Sequence, residues 1–283
     1  MNYDEALEYI NAVPRFAKTN TLERVREILS AFGSPEKSLN CIHVAGTNGK
    51  GSTVMMLSNI FRAAGKRVGT FVSPFVYDFR ERIQLDCAPI EKQAFADICS
   101  RVRDVVNNLL DPPNAFEILT ATALIFFSEA KCDIVVLEVG LGGTWDATNV
   151  ISTPMLAVIC SIALDHMAIL GNTLPEIAHE KCGIIKNGGV VVTGSTHESD
   201  VMAIIEDTCK ERGATLITAH SAPRPIRESV DGTVFEYNGE SVSLSLPGEY
   251  QLANVALVIA AAEALTLPTS AVIRGLSETY IPA

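Results

Sequence analysis

Short apolar runs alternate with longer segments of helical periodicity along most of the chain. The apolar runs are residues 41–45, 68–72, 134–137, 155–160, 190–192 and 214–218. Their consecutive apolar positions are typical of strands that are buried on both faces. The segments with helical spacing are residues 3–12, 21–31, 52–64, 91–109, 115–130, 199–212 and 250–265. This alternation predicts an α/β fold with a mainly parallel sheet flanked by helices on both faces.

The pattern changes between residues 75 and 90 and again near residue 233. We expect irregular structure over 75–90, because no sustained period is present there. Residues 234–237 and 242–244 flank Asn238-Gly239, a dipeptide suited to a type I′ turn. The sequence therefore predicts one domain over residues 1–283, with a small antiparallel β-hairpin region at about 220–248.

The composition and charge of the chain indicate which classes of molecule it binds. The formal net charge is -11 and 48% of the residues are hydrophobic, which indicates a large core and disfavours binding to nucleic acid or anionic membranes. Seven cysteines are scattered without a Cys-x-x-Cys pair, as in reduced proteins. The acidic N-terminal segment is unlike a signal peptide, and no uninterrupted apolar run is long enough to span a membrane. We therefore expect a cytoplasmic protein that acts on small molecules.

Residues 46–52 form a glycine-rich turn between the first predicted strand and a predicted helix. Its three glycines would let backbone amides converge on an anion, and Lys50 would add a full charge. The N-terminus of the following helix supplies further amides and a positive dipole end. The spacing differs from the common phosphate-binding loop, because Gly51 separates Lys50 from Ser52. A turn that needs glycines only for steric reasons is the alternative, but strand, lysine and hydroxyls together favour phosphate binding.

Polar side chains follow neighbouring predicted strands. Ser73, Glu138 and His166 each lie at or just beyond the end of a strand, and Asp146 follows a glycine cluster. The carboxyl ends of parallel strands meet at one edge of a sheet, where ligands bind. A hydroxyl, a carboxylate and an imidazole there could hold Mg²⁺ on a nucleotide, although imidazole is an unusual Mg²⁺ ligand. Individually, Ser73 could begin a turn and His166 could be an ordinary loop histidine, whereas an unpaired buried Glu138 would be costly.

Four motifs, taken in order, resemble the folylpolyglutamate synthase/dihydrofolate synthase family of the Mur-ligase superfamily. They are Ala45-Gly46-Thr47-Asn48-Gly49-Lys50-Gly51-Ser52, Ser73-Pro74 with Glu81-Arg82-Ile83, Glu138-Val139-Gly140-Leu141-Gly142-Gly143 with Asp146-Ala147-Thr148-Asn149, and Asp165-His166 through Glu180-Lys181. The resemblance covers essentially the whole chain, and the motifs are specific when taken together. It implies a P-loop-type fold like the central domain of Mur ligases, and ATP-dependent amide ligation.

The resemblance implies a role for each residue that matches a functional position of the family. The ATP phosphates would be bound by Asn48, Gly49, Lys50, Gly51 and Ser52, and the adenine by Asn254. Mg²⁺, in two sites, would be bound by Ser73, Glu138, His166 and Lys181, with Lys181 carbamylated. The pterin part of the substrate would be bound by Phe116, Glu117 and Asp146, with Leu22-Glu23-Arg24 nearby. The catalytic residues would be Lys50, Glu138, His166 and Lys181.

The implied reaction adds L-glutamate to dihydropteroate, to (tetrahydro)folate or to both. A substrate carboxylate would attack the γ-phosphate of ATP, and the amine of glutamate would then displace phosphate from the acyl phosphate. Two alternatives stay open, a cell-wall Mur-type amino-acid ligase and a nucleotide-binding domain without catalysis. The Asp146-Ala147-Thr148-Asn149 segment favours the folate enzyme, and the presence of Lys50, Glu138 and Lys181 favours catalysis. The family is usually monomeric, so we expect a monomer.

Three positions depart from the family pattern. Phe75 stands where His is frequent, Thr144-Trp145 replaces Arg-Leu, and Tyr250 replaces His. The first two lie near the expected folate region and therefore bear on substrate preference. Family members also continue beyond the segment that matches residues 280–283 into a C-terminal glutamate-ligase domain. We therefore expect this chain to be a fragment that lacks that domain.

Because the closing domain would be missing, we predict that the 283-residue chain binds ATP weakly and has little ligase activity. Calorimetry measures the ATP affinity, and a coupled assay of ADP release measures turnover. Turnover comparable to that of a full-length family member would contradict this expectation.

Overall fold

A computed structural model describes residues 1–14, 19–220 and 222–280. Its strands, β1 to β11 in chain order, are Cys41–Ala45, Val68–Phe71, Ile83–Leu85, Ala88–Pro89, Ile134–Glu138, Leu156–Ile159, Val190–Thr193, Thr215–Thr218, Pro225–Ser229, Gly232–Tyr237 and Glu240–Leu244. Its helices, α1 to α10, are Tyr3–Ala12, Glu23–Ser30, Lys50–Ala63, Lys92–Val106, Ala115–Glu129, Met167–Leu170, Leu174–Lys181, Ser199–Glu211, Tyr250–Ala264 and Thr269–Ser277. Residues 281–283, the end of the segment matched to the family's domain junction, lie outside the described ranges.

Eight strands form one sheet in the order β4-β3-β2-β5-β1-β6-β7-β8. The five pairs from β2–β5 to β7–β8 are parallel, whereas β2–β3 and β3–β4 are antiparallel. Strands β9, β10 and β11 form a separate antiparallel sheet. The expected α/β class, with a mainly parallel sheet and a small antiparallel region, is confirmed. None of the helices in the described ranges is long and apolar enough to cross a membrane.

The expectation of irregular structure over 75–90 is wrong for its second half. Strands β3 and β4 extend the sheet there, and β3 pairs antiparallel with β2. The turn between them has positive φ at both Asp86 (52°) and Cys87 (65°), a backbone that usually calls for Asn or Gly. Strands of three and two residues are too short to show a periodic pattern. The turn between them also lacks the Asn or Gly that would have indicated it.

The hairpin expected at Asn238-Gly239 is confirmed. Asn238 and Gly239 have φ of 52° and 80°, the positive values that a type I′ turn requires. Strands β10 and β11 pair antiparallel around this turn, with Phe235 opposite Val242, and both of these side chains are fully buried. The third strand, β9, is exposed along its whole length, which explains why no apolar pattern predicted it.

Strand β1 lies at the centre of the sheet and contributes to both core layers. Ile42 and Val44 pack in the cluster that includes α3 and α9, whereas Cys41 packs in the cluster that includes α4 and α5. Successive side chains of a strand point to opposite faces, so His43 shares the face of Cys41. Burial on both faces explains the continuous apolar run in the sequence.

The parallel registers bring four strand ends to the same edge of the sheet. Val44 of β1 lies opposite Glu138 of β5, and Ala45 lies opposite Ile159 of β6. Phe71 of β2 lies opposite Leu137. The segments that follow β1, β2, β5 and β6 therefore begin side by side, and these are the segments that carry the predicted site residues.

Helix α3 follows the glycine loop, and α10 packs against its C-terminal half. Gly275 of α10 lies so close to Ile60 that a Cβ at position 275 would be 2.4 Å from the Ile60 Cα. Arg62 Nη2 pairs with Glu278 Oε2 at 2.7 Å near the end of α3. These contacts fix the helix whose first residue is Lys50.

Gly275→Ala is predicted to lower the free energy of unfolding by about 2 kcal/mol, because the added methyl group would overlap backbone atoms of Ile60. Ser277→Ala, at an exposed position of the same helix, should change it by less than about 0.5 kcal/mol. Urea unfolding followed by circular dichroism measures both values. Equal effects of the two substitutions would contradict the packing argument.

Candidate active site

The glycine loop leaves no room for side chains at two of its positions. Gly49 has φ of 82°, and a Cβ there would lie 2.2 Å from Asn254 Oδ1 of α9. A Cβ at Gly46 would lie 2.6 Å from Cys160 Cβ at the end of β6. Helix α3 begins at Lys50 directly after Gly49, so its first amides open toward the loop. Loop and helix start therefore form the expected cradle for an anion.

Thr47 fastens this loop to the segment that follows β6. Its amide donates to the carbonyl of Ser161 at 2.7 Å. Its hydroxyl donates to the Ala163 carbonyl at 3.0 Å and accepts from the Ala163 amide at 3.1 Å. Sequence reasoning assigned no role to Thr47, and the partners, 114 to 116 residues away along the chain, gave no signal that could have found it.

Two lysine side chains converge on carbonyl oxygens of the loop. Lys50 Nζ donates to the Thr47 carbonyl at 3.0 Å, and Lys181 Nζ donates to the Gly46 carbonyl at 2.8 Å. Lys181 is buried, and burial together with the charge of Lys50 lowers its pKa to about 8, against the opposing charge of Asp165. Two cationic side chains beside free amides make this the natural place for a polyanionic ligand.

Glu138 lies at the adjacent strand end, beside the start of α3. Its Oε2 accepts a hydrogen bond from the Ser73 amide at 2.9 Å, and a Cβ at Gly51 would lie 3.6 Å from the same oxygen. Burial raises the pKa of Glu138 to about 7, while the Ser73 amide and the charge of Lys50 oppose the shift. The Ser73 hydroxyl accepts from Arg82 Nη1 at 2.8 Å. The structure thus places Ser73 and Glu138 together next to the phosphate cradle.

His166 is not joined to this group by any described hydrogen bond. It is exposed, has φ of 48° at the start of α6, and its imidazole lies 3.7 Å from the carboxylate of the adjacent Asp165. Within the described ranges, no three His, Cys, Asp or Glu side chains are arranged to hold a metal ion. The oxygen donors of Ser73 and Glu138 do fit Mg²⁺, which takes few protein ligands when phosphates and water supply the rest.

The glycine turn after β5 lies between two predicted site residues. A Cβ at Gly140 would be 2.5 Å from the ring of Phe116, and a Cβ at Gly143 would be 2.8 Å from the Lys181 carbonyl oxygen. Asp146 holds this turn, because its Oδ2 accepts from the Leu141 amide at 2.9 Å. Burial raises the pKa of Asp146, and its hydrogen bonds oppose that shift.

A buried hydrogen-bonded chain connects β1 to Asp146. His43 Nε2 lies 2.8 Å from Thr148 Oγ1, and the Thr148 hydroxyl donates to Asp146 Oδ1. The Thr148 amide donates to the same carboxylate oxygen at 3.0 Å. The only sequence signal was a histidine inside an apolar strand, which sequence reasoning left unassigned.

Glu117, predicted to bind the pterin, is engaged in an internal ion pair. Arg24 Nη2 pairs with Glu117 Oε1 at 2.8 Å, and both side chains are buried. Asn114 caps α5, since its Oδ1 accepts from the Glu117 backbone amide at 2.9 Å and its own backbone amide donates to Glu117 Oε2 at 2.7 Å. Arg24 Nη1 also pairs with Asp111 at 2.8 Å. These contacts join α2 to α5, so the geometry favours a positioning role for Glu117 and Arg24, and their contact with substrate stays a prediction.

The remaining predicted residues lie around the cradle. Asn254 is buried, and its Nδ2 donates to Gln251 Oε1 at 2.9 Å while its oxygen faces Gly49. Thr144 is half-buried, and the other three residues that depart from the family pattern are exposed, with relative exposures of 38% for Phe75, 52% for Trp145 and 69% for Tyr250. They are therefore available for contacts with ligands.

Comparisons with known proteins identify the family to which the chain belongs. A profile of the Mur ligase middle domain matches residues 44–262. The dihydrofolate synthase/folylpolyglutamate synthase of Bacillus subtilis is 38% identical over 273 residues, which cover 92% of this chain and 63% of that protein. The folylpolyglutamate synthase of Lacticaseibacillus casei is 34% identical over 301 residues, which cover 100% of this chain and 70% of that protein.

Solved structures give the same result. The apo form of L. casei FPGS superposes with a TM-score of 0.92 at 34% identity, covering 100% of this chain and 73% of that one. An FPGS complex with AMPPCP and folate also gives 0.92 at 34% identity. The chain thus spans 63% of the B. subtilis relative and 70% of the L. casei relative. The family profile, the sequence identities and the fold agree, and the chain belongs to the folylpolyglutamate synthase/dihydrofolate synthase family of Mur ligases.

Proposed function

We propose that this chain is the ATP-binding part of a ligase that joins L-glutamate to dihydropteroate, to (tetrahydro)folate or to both. One observation carries the proposal. Lys50 and Lys181 converge on the glycine loop, directly beside the buried Glu138 and Ser73. Lys50 offers a cationic donor for phosphates, and the oxygens of Glu138 and Ser73 offer ligands for a divalent cation, which is the arrangement that phosphoryl transfer needs.

ATP is the proposed nucleotide, with its phosphates over residues 48–52. The amides at the start of α3 would donate to phosphate oxygens, and Lys50 would exchange the Thr47 carbonyl for a phosphate. Asn254 would reach the adenine from α9, behind Gly49. The FPGS–AMPPCP complex, a structure 32% identical to this chain, supports ATP as the nucleotide.

The proposed reaction proceeds in two displacements. A carboxylate oxygen of the pteroate or folate bonds to the γ-phosphorus, while the bond from that phosphorus to the bridging oxygen of ADP breaks. The amine of L-glutamate then bonds to the acyl carbon, phosphate leaves, and the amine loses a proton. Lys50 would stabilise negative charge on the transferring group, because it is half-buried and acts at short range.

Ser73, Glu138, His166 and Lys181 are the proposed ligands of Mg²⁺, with two sites in all. Mg²⁺ would supply charge neutralisation for the phosphates. Ser73 and Glu138 fit this role as they stand, whereas His166 would have to turn away from Asp165. Lys181 fits only after carbamylation, because an ammonium group cannot ligate a cation. Its lowered pKa supports that modification, since the neutral amine is the form that reacts with CO₂.

The proposed pterin site adjoins the glycine turn after β5. Phe116 packs against Gly140 and against Phe71 at 5.7 Å between ring centroids, so one aromatic wall is already fixed. Both carboxylate oxygens of Asp146 accept hydrogen bonds from within the protein. Asp146 holds the turn and Glu117 holds Arg24, their direct contact with the pterin stays a prediction, and the exposed Trp145 would add a second aromatic surface.

The proposed partners are small molecules, namely ATP, the pteroate or folate and L-glutamate. We propose a cytoplasmic monomer that does not bind nucleic acid, in keeping with the net charge of -11. A cell-wall Mur-type ligase and a domain without catalysis are the competing functions. A coupled ADP-release assay with dihydropteroate, tetrahydrofolate or a UDP-sugar acceptor, on the chain extended to the length of its relatives, separates the three.

Lys50→Ala is predicted to raise the Kd for AMPPCP about 10- to 100-fold, because one direct cationic contact with phosphate is lost. Lys66→Ala removes an equal charge from the exposed turn after α3 and should change the Kd less than about twofold. Titration calorimetry of the 283-residue chain measures both constants. Unchanged affinity after Lys50→Ala would rule out the proposed phosphate site, whatever acceptor the ligase uses.

Crystals soaked with AMPPCP and Mn²⁺ are predicted to show anomalous peaks beside Ser73 and Glu138. Extra density on Lys181 Nζ is expected when bicarbonate is present, and Lys181→Ala should remove the metal peak that depends on the carbamate. Peaks remote from Ser73, Glu138 and His166 would contradict the metal assignment.

A further inference from the structure

His43 is a buried imidazole in the central strand, and the proposed reaction gives it no role. It is fully buried, with β5 on one side of its strand and β6 on the other. An imidazole in such a place needs a hydrogen-bond partner, because burying a polar ring without one is costly. Its partner is the hydroxyl of Thr148, at 2.8 Å from Nε2.

The direction of the hydrogen bonds follows from the carboxylate at the end of the chain. Asp146 Oδ1 accepts from the Thr148 amide and from the Thr148 hydroxyl. An ionised carboxylate can only accept, so the Thr148 hydroxyl donates to it. Because the Thr148 hydroxyl donates its only proton to Asp146, its oxygen must accept a hydrogen bond from His43 Nε2–H. The tautomer of His43 is thereby fixed.

The other ring nitrogen keeps His43 neutral. Nδ1 is buried and has no hydrogen-bond partner among the described residues. Burial, with a smaller contribution from the charge of Lys186, lowers the pKa of His43 to about 3. His43 is therefore a permanent single donor near neutral pH, rather than a proton carrier.

The far end of this chain is the glycine turn of residues 140–143. Asp146 Oδ2 holds the Leu141 amide at 2.9 Å, and Gly140 packs on the ring of Phe116. On the other side, Gly143 packs on the backbone of Lys181. The turn therefore lies between the proposed aromatic wall and the proposed metal ligand, where small displacements would move both.

We infer that His43 is a positioning residue, which orients the Thr148 hydroxyl and thereby fixes Asp146 and the 140–143 turn for binding of the pteroate or folate substrate. The substrate part of this inference rests on the proposed function. The hydrogen-bonded chain itself does not, and a separate measurement tests it.

The first measurement is ¹⁵N NMR of histidine-labelled chain, which contains 5 histidines. The His43 signals are assigned by their loss in His43→Gln. We expect a neutral Nε2–H tautomer from pH 5 to 8, a changed Nε2 shift in Thr148→Val, and a nearly unchanged shift in Thr148→Ser. An Nδ1–H tautomer, or an identical Nε2 shift in Thr148→Val, would overturn the chain of hydrogen bonds.

The second measurement is ligand binding, followed by the fluorescence of Trp145, the single tryptophan, which directly precedes Asp146. His43→Leu removes the donor and Thr148→Val removes the hydroxyl at constant shape. Each should raise the Kd for folate about tenfold, the usual effect of losing one buried hydrogen bond. The Kd for AMPPCP should change less than about twofold, because the loop at 46–52 is fastened through Thr47 to residues 161 and 163 instead.

Conservative variants separate positioning from mere packing. His43→Gln keeps an N–H donor near the Nε2 position, and Thr148→Ser keeps the hydroxyl, so both should restore folate affinity to within about threefold. Should His43→Leu fail to fold, the Thr148→Val and Thr148→Ser pair gives the same comparison. An equal rise in the Kd for folate and the Kd for AMPPCP, or an unchanged Kd for folate in the folded variants, would overturn the positioning role. Absence of folate binding by the unsubstituted chain would overturn the proposed function, and with it the substrate part of this inference.

Discussion

The site depends on the burial of two oppositely charged side chains at one edge of a parallel sheet. Burial moves the pKa of Glu138 up to about 7 and that of Lys181 down to about 8, so each ionised form is disfavoured by its surroundings. Neither side chain has the other as its hydrogen-bond partner, since Glu138 accepts from Ser73 and Lys181 donates to Gly46. A bound group of opposite charge would stabilise the ionised form of either side chain, which is why both belong to the proposed site.

Much of the fold could be predicted because the sequence marks it locally. Continuous apolar strands, the glycine loop and Asn238-Gly239 each signal their structure within a few residues, and the structure has all three. The β3–β4 extension could not be predicted, because Asp86 and Cys87 adopt positive φ without the residues that usually announce it. Helix boundaries were also not marked exactly, since α3 begins at Lys50 rather than at residue 52, directly after Gly49 with its positive φ.

The candidate site could be predicted from the sequence only where a side chain able to bind a ligand stands at the end of a predicted strand. Ser73 and Glu138 were expected side by side from their positions after β2 and within β5, and they are hydrogen-bonded. Residues that act through distant partners gave no such signal. Thr47, His43 and Arg24 contact Ala163, Thr148 and Glu117, which lie 116, 105 and 93 residues away along the chain, and only the folded protein brings them together.

Helix α3 is packed against other elements at both of its ends, which bears on how a displacement at one end would affect the other. Asn254 of α9 abuts Gly49 just before its first turn, and α10 is wedged against Ile60 in its third turn. A helix is stiff along its axis, so a displacement at one end is transmitted to the other rather than absorbed between them. Were nucleotide bound at the N-terminal end, as proposed, and coupled to the α10 contact, thermodynamic linkage would require each to favour the other by the same free energy. Residues 250–280, although they supply only Asn254 to the proposed site, would thus belong energetically to the nucleotide-binding unit.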